Sequence, residues 1–287
     1  MNIMRIMGLG LLMALWLAMG VCAGGGLAEK TYYEAVEQGM QGNFSQARET
    51  LVQALRADPF YAPAKVCLET LQDVTTKKIK PRTAIHVFTA MAYGNHSQWE
   101  EFIAEINLAL QLDPEYGAAY NHRGNAYDES GQYDRAVADY DRVLKLNPQS
   151  WAAYLNRGVA NGKKGDADQA IIDYTQALKL NPQLPLAYYA RGNAYARRGE
   201  LDKAIADFDQ AVALNPRFAE AHFNKAMAYE RAGRPRDAAA AYRSFLKYAA
   251  PEFTRQIQHA REKIGALARD SPVRPAQSAR VPAVSPR

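Results

Sequence analysis

The residue types able to do chemistry are few, and their spacing decides what they could do. The five histidines are His86, His96, His122, His222 and His259, and none falls in an H-E-x-x-H or other ligand spacing that would hold zinc. His86 and His222 share the register of Tyr120, Tyr154 and Tyr188, which predicts a packing role. Cys67 lies in Val66-Cys67-Leu68, where a thiol behaves as a small buried hydrophobe, and Cys22 lies in an apolar N-terminal run. Two such cysteines supply neither a disulfide framework nor a multi-cysteine metal site. The chain has no G-x-S-x-G nucleophile elbow and no G-x-x-x-x-G-K-[ST] phosphate loop. The expectation is no catalytic residue, no metal ligand and no cofactor.

Arg123, Arg157 and Arg191 recur every 34 residues and could form a ladder for an anionic ligand. Sixteen residues after them stand Asp139, Asp173 and Asp207, and where the base becomes Lys225 the match becomes Ala241. That joint presence predicts a salt bridge between two helices of one unit, contributing about 0–1 kcal/mol if partly exposed. Asp134, Asp168 and Asp202 fall in the first turn of a second helix, where the dipole favours negative charge.

The elements that must position these residues follow from the same period. Pro114, Pro148, Pro182 and Pro216 are 34 residues apart, each preceded by Asp113, Asn147, Asn181 or Asn215. Gly124, Gly158 and Gly192 hold one register and Gly131, Gly165, Gly199 and Gly233 another. Ala136, Ala170, Ala204 and Ala238 hold a third, and Tyr140, Tyr174, Phe208 and Tyr242 a fourth. Each unit reads as two helical segments, parted by a glycine able to take positive φ and closed by a proline.

The order Tyr120, Gly124, Tyr127, Ala136, Tyr140, Pro148 resembles the tetratricopeptide repeat. The resemblance covers nearly everything from 28 to 252 and implies an all-α, right-handed superhelical solenoid of antiparallel helix pairs. The expected organisation is a signal peptide or anchor at 1–28, a degenerate repeat at 29–61 and an irregular helix and linker at 62–82. Five tandem repeats follow at 83–252, with Ala226 replacing a glycine in the last, then a closing helix at 253–269 and a disordered tail at 270–287.

Arg5 precedes a run without acid or base from Ile6 to Ala28, with small-x-small patterns at Val21-Cys22-Ala23 and Gly26-Leu27-Ala28. This predicts a cleaved secretory leader, a mature start at Gly24 or Glu29, and an exported, periplasmic chain. The alternatives are an inner-membrane anchor formed by residues 6–28, since a span needs roughly 20 apolar residues, and a lipoprotein modified at Cys22, whose preceding Met19-Gly20-Val21 fits that signal poorly. With 35 basic and 30 acidic residues the net charge of +5 is too mild to point to nucleic acid.

In the family the inner face is lined chiefly by the first helix of each unit. There the chain offers Asn121, Asn125, Asn156, Tyr189, Asn193, Phe223, Asn224 and Met227. Resemblance to peptide-binding members implies that Asn125, Asn156, Asn193 and Asn224 hold the backbone of an extended ligand, since an amide both donates and accepts. Tyr189, Phe223 and Met227 would be apolar anchors, with Phe223 expected on an exposed inner surface. The lysines that clamp a terminal carboxylate in chaperone-tail binders are replaced by Asn121, Leu186 and Ala190. The function so implied is a non-catalytic adaptor binding a peptide or protein segment, in cell-envelope assembly or maintenance. The alternative is a homo-oligomerising structural component of an envelope complex, and the membrane enters only through a retained N-terminal segment.

Overall fold

A computed structural model describes residues 26–94 and 97–269 of the chain. The expected leader with Cys22, and the tail at 270–287, therefore lie almost wholly outside the described residues, as does His96. Those described form helices joined by short turns, without a strand. They are α1 (Leu27–Met40), α2 (Phe44–Ala57), α3 (Ala62–Thr75), α4 (Pro81–Gly94), α5 (Trp99–Leu112), α6 (Gly117–Glu129) and α7 (Tyr133–Leu146). After these come α8 (Trp151–Lys164), α9 (Ala167–Leu180), α10 (Pro185–Arg197), α11 (Leu201–Leu214), α12 (Ala219–Arg231) and α13 (Pro235–Tyr248), then a 3₁₀ turn (Pro251–Phe253) and α14 (Thr254–Arg269). None is long and apolar enough to cross a membrane.

The chain divides after Leu180 into two compact units. In the first, α1 pairs with α2, α4 with α5, α6 with α7 and α8 with α9, and successive pairs stack through α5 on α6 and α7 on α8. In the second, α10 pairs with α11 and α12 with α13, and α14 packs on α13.

Local chemistry explains the repeat. Gly165 closes α8 at φ 98°, a left-handed conformation that costs a side-chain-bearing residue about 1–2 kcal/mol. Within the same pair a Cβ on Gly158 would stand 2.7 Å from the Tyr174 ring, so only glycine lets α8 and α9 close over that tyrosine. The residue before each periodic proline turns the chain: Asn147 Oδ1 accepts the Gln149 N–H at 3.1 Å and Asn181 Oδ1 that of Gln183 at 3.0 Å. Alanines such as Ala136, Ala170, Ala204 and Ala238 are fully buried where helices cross closely.

Residues 62–82 depart from this pattern. Helix α3 packs on α2 and buries Cys67 completely, while α4 packs on α1, with the Phe88 ring filling the space that a side chain on Gly39 would need. The Asp113 carboxylate accepts the Lys80 N–H at 2.8 Å and also the Thr83 hydroxyl, fixing the start of α4. At the other end Ala260 of α14 is fully buried, and Ile257 and Ile264 pack half-buried against the core of α12 and α13.

Candidate functional site

The basic stripe is committed to structure. Arg157 donates from Nε to Asp173 Oδ2 at 3.1 Å and from Nη2 to Asp173 Oδ1 at 2.6 Å, and Arg123 holds Asp139 at 2.8 and 2.6 Å in the same bidentate way. Arg191 holds Asp207 at 2.8 Å through both nitrogens. The bound carboxylates raise the pKa of Arg123 and of Arg191 above the ordinary guanidinium value. The predicted pairing is present, with the carboxylates buried, Asp173 to 1% exposure, while the guanidinium side chains keep some contact with solvent. Removing one partner of a buried pair strands the other charge at a cost of about 3–5 kcal/mol.

A second partner escapes the forward spacing. Arg123 Nη1 donates to Asn107 Oδ1 at 2.6 Å, Arg157 Nη1 donates to Asp141 Oδ1, and Lys225 pairs with Asp209, each sixteen residues before the base. The signal was present as the mirror image of the forward spacing. Every one of these bases thus ties the second helix of the preceding repeat to its own first helix, and Arg123 and Arg157 reach on to their own second helix.

In the first unit the structure brings Asn121, Asn125 and Asn156 together. The Asn156 Nδ2 amide donates to Asn125 Oδ1 at 3.2 Å and to Asn121 Oδ1 at 3.3 Å, and Asn125 Oδ1 also accepts the Tyr140 hydroxyl at 2.8 Å. The second unit repeats the arrangement 68 residues on: Asn224 Nδ2 donates to Asn193 Oδ1 at 2.8 Å and to the Tyr189 hydroxyl at 3.0 Å. In both clusters the amide groups keep unused capacity. Asn125 Nδ2, Asn193 Nδ2, and the carbonyl oxygens of Asn156 and Asn224 have no partner among the described residues.

Tyr189, Phe223 and Asn224 line a cleft of the second unit together with Glu220, Phe245, Phe253 and Gln256. The last two come from the closing segment, which lies outside the repeat period and so gave no signal. Phe223 is not the exposed ring expected: it is half-buried, with centroids 5.1 Å from Phe245, 5.7 Å from Tyr242 and 5.8 Å from His259. Helix α14 covers the side of Phe223 that would otherwise face solvent. Met227 is 37% exposed, and its sulfur lies 3.2 Å from the Tyr242 hydroxyl oxygen.

The remaining reactive types are packed or bonded. Burial pushes the Cys67 thiol up to about 12, which leaves almost no thiolate at neutral pH. His86 Nδ1 lies 2.7 Å from Glu105 Oε2, and His222 bonds the Pro216 carbonyl as Tyr120 bonds that of Pro114. No group of three or more His, Cys, Asp or Glu among the described residues is placed to hold a metal ion.

Comparison with known proteins gives the same repeat. Residues 121–185 match a tetratricopeptide repeat model, as do 173–206 and 220–250, and 192–233 match a further TPR repeat model. Among solved structures, one described as the crystal structure of MamA protein is 25% identical, with a TM-score of 0.55 over 58% of this chain and 91% of that one. MamA 41-end from Desulfovibrio magneticus RS-1 is 25% identical, with a TM-score of 0.51 over 56% and 94%. YrrB, described as a TPR protein with an unusual peptide-binding site, is similar in fold at 20% identity, with a TM-score of 0.54 over 67% and 97%. A comparison with curated protein sequences returns no match. With its helix pairs and its period in agreement with four repeat models over residues 121–250, the chain carries tandem tetratricopeptide repeats, a scaffold for protein–protein interaction.

Proposed function

We propose that the first-helix face of the repeats binds an extended segment of a partner protein, without catalysis, in an exported chain serving cell-envelope assembly or maintenance. The observation that carries this reading is the pair of amide clusters. In each, one asparagine is oriented by its neighbour while donors and acceptors remain for a ligand backbone. Asn121, Asn125 and Asn156 form the first cluster, and Tyr189, Asn193 and Asn224 the second, with Met227 and part of Phe223 beside it as apolar surface. The repeat surface is preformed, so little ordering cost falls on this side of the complex.

The test is a pull-down from a native envelope fraction, using the wild type beside Asn156→Ala and Asn224→Ala. A backbone hydrogen bond contributes about 0.5–1.5 kcal/mol net, so each variant should lose about two- to tenfold in retained partner with an unchanged melting curve. Full retention by the double variant would refute the amide clusters as the binding surface.

A further inference from the structure

The cleft of the second unit contains an acid that the described chain does not pair. Glu220 is half-buried among Tyr189, Phe223, Phe245 and Phe253, and makes no hydrogen bond or ion pair with a described residue. The other acid of α12, Glu230, is fully engaged by the Lys263 ammonium at 2.7 Å and the Tyr242 hydroxyl at 2.6 Å. At the register of Glu220 the three preceding repeats carry Ala118, Ala152 and Leu186, so the repeat itself does not require an acid there. Its place in the first turn of α12 suits a negative charge, but that leaves its aromatic surroundings unexplained.

A lone carboxylate beside an aromatic cleft complements one kind of side chain. Arginine and lysine carry an aliphatic stem that packs on ring surface and a cationic head that pairs with carboxylate or ring. We infer that this cleft receives an arginine or lysine side chain from the partner segment, with its stem against Phe223 and Phe253 and its head on Glu220. The carbonyl of Asn224 lies beside it to accept a backbone N–H from the same segment. Because the whole chain is net basic at +5, a cation is drawn here by the Glu220 carboxylate rather than by the general field. The inference rests on the reading that the first-helix face binds extended segments, and it names the chemistry that one cleft selects.

The test uses the full chain and two blocked nonapeptides of alanine and serine, one with a central arginine and one with a central glutamate, titrated by NMR. The wild type should prefer the arginine peptide by about tenfold, the effect of roughly 1.4 kcal/mol. Glu220→Gln should abolish that preference with its melting curve unchanged. Equal binding of both peptides by the wild type would overturn the cationic cleft while leaving segment binding intact. Binding of neither peptide would also overturn it, and the envelope pull-down then decides the broader reading on its own. If removal of residues 271–287, which carry Arg274, Arg280 and Arg287, raises affinity for the arginine peptide about tenfold, the chain's own tail holds the cleft and the partner form is overturned.

Discussion

Arg157 is held by Asp173 and Asp141, and what it contributes depends on burial rather than on charge alone. With Asp173 at 1% exposure, Arg157→Ala leaves a buried carboxylate without a counter-ion, held only by the Asn161 amide, and urea unfolding should show a loss of about 3–5 kcal/mol. The triple variant Arg157→Met, Asp173→Leu and Asn161→Leu should recover most of that loss, since it removes the charges together with the buried Asn161 amide that donates to Asp173. A loss under about 1 kcal/mol for Arg157→Ala would mean that the pair behaves as an exposed surface bridge. The forward pairing was legible because Arg and Asp vanish together at Lys225 and Ala241. The rearward partners Asn107, Asp141 and Asp209 differ in type and so blur the period. The depth of burial was not legible, because it depends on how closely α8 settles onto α9 around Tyr174 and Gly158.

At the scale of elements, the period of 34 made the helix pairs legible from α6 to α13, where proline, glycine and alanine punctuate every unit. Helices α3 and α14 lie outside the period; the sequence marks α14 as a closing helix, but the side chains it meets could be read only from structure. For α14 this changed the candidate site, because Phe253 and Gln256 form a wall of the cleft and His259 packs on Phe223. Ala260 is fully buried where α14 meets its neighbours, and Ala260→Asp would put a charge into that contact. The variant should lose helical ellipticity equivalent to α14 in an early, separate phase of thermal unfolding and should expose Phe223. A single unchanged cooperative transition would show that α14 is not docked as described.

At the largest scale, the described helices of each unit pack chiefly on their neighbours in the chain, which makes stability approximately a sum of repeat and nearest-neighbour terms. The family and the all-α class were legible at this scale because a repeat writes its fold several times over. The partner was not, because specificity lies where the repeats differ, as at Asn125, Val159, Asn193 and Met227 in one register. The large apolar side chains left exposed, among them Phe60 in the turn before α3, Ile172 on α9 and Leu186 on α10, belong to different elements, and single exposed apolar residues are normal on a monomer surface. Light scattering on the chain from Gly24 should therefore report one copy at micromolar concentration, and a stable dimer would favour the structural-component reading over the adaptor.

The two-sided hold on Arg123 and Arg157 also sets how the chain can change in length. Arg123 looks back sixteen residues to Asn107 and forward sixteen to Asp139. If residues 124–157 were excised, Asp173 would move into the forward place and both contacts could re-form, whereas excision of 30 or 38 residues would leave the base facing the wrong neighbour. Copy number is thus quantised by side-chain chemistry as well as by helix length, and gain or loss of whole repeats is the route by which such a scaffold could be resized without a buried charge being abandoned.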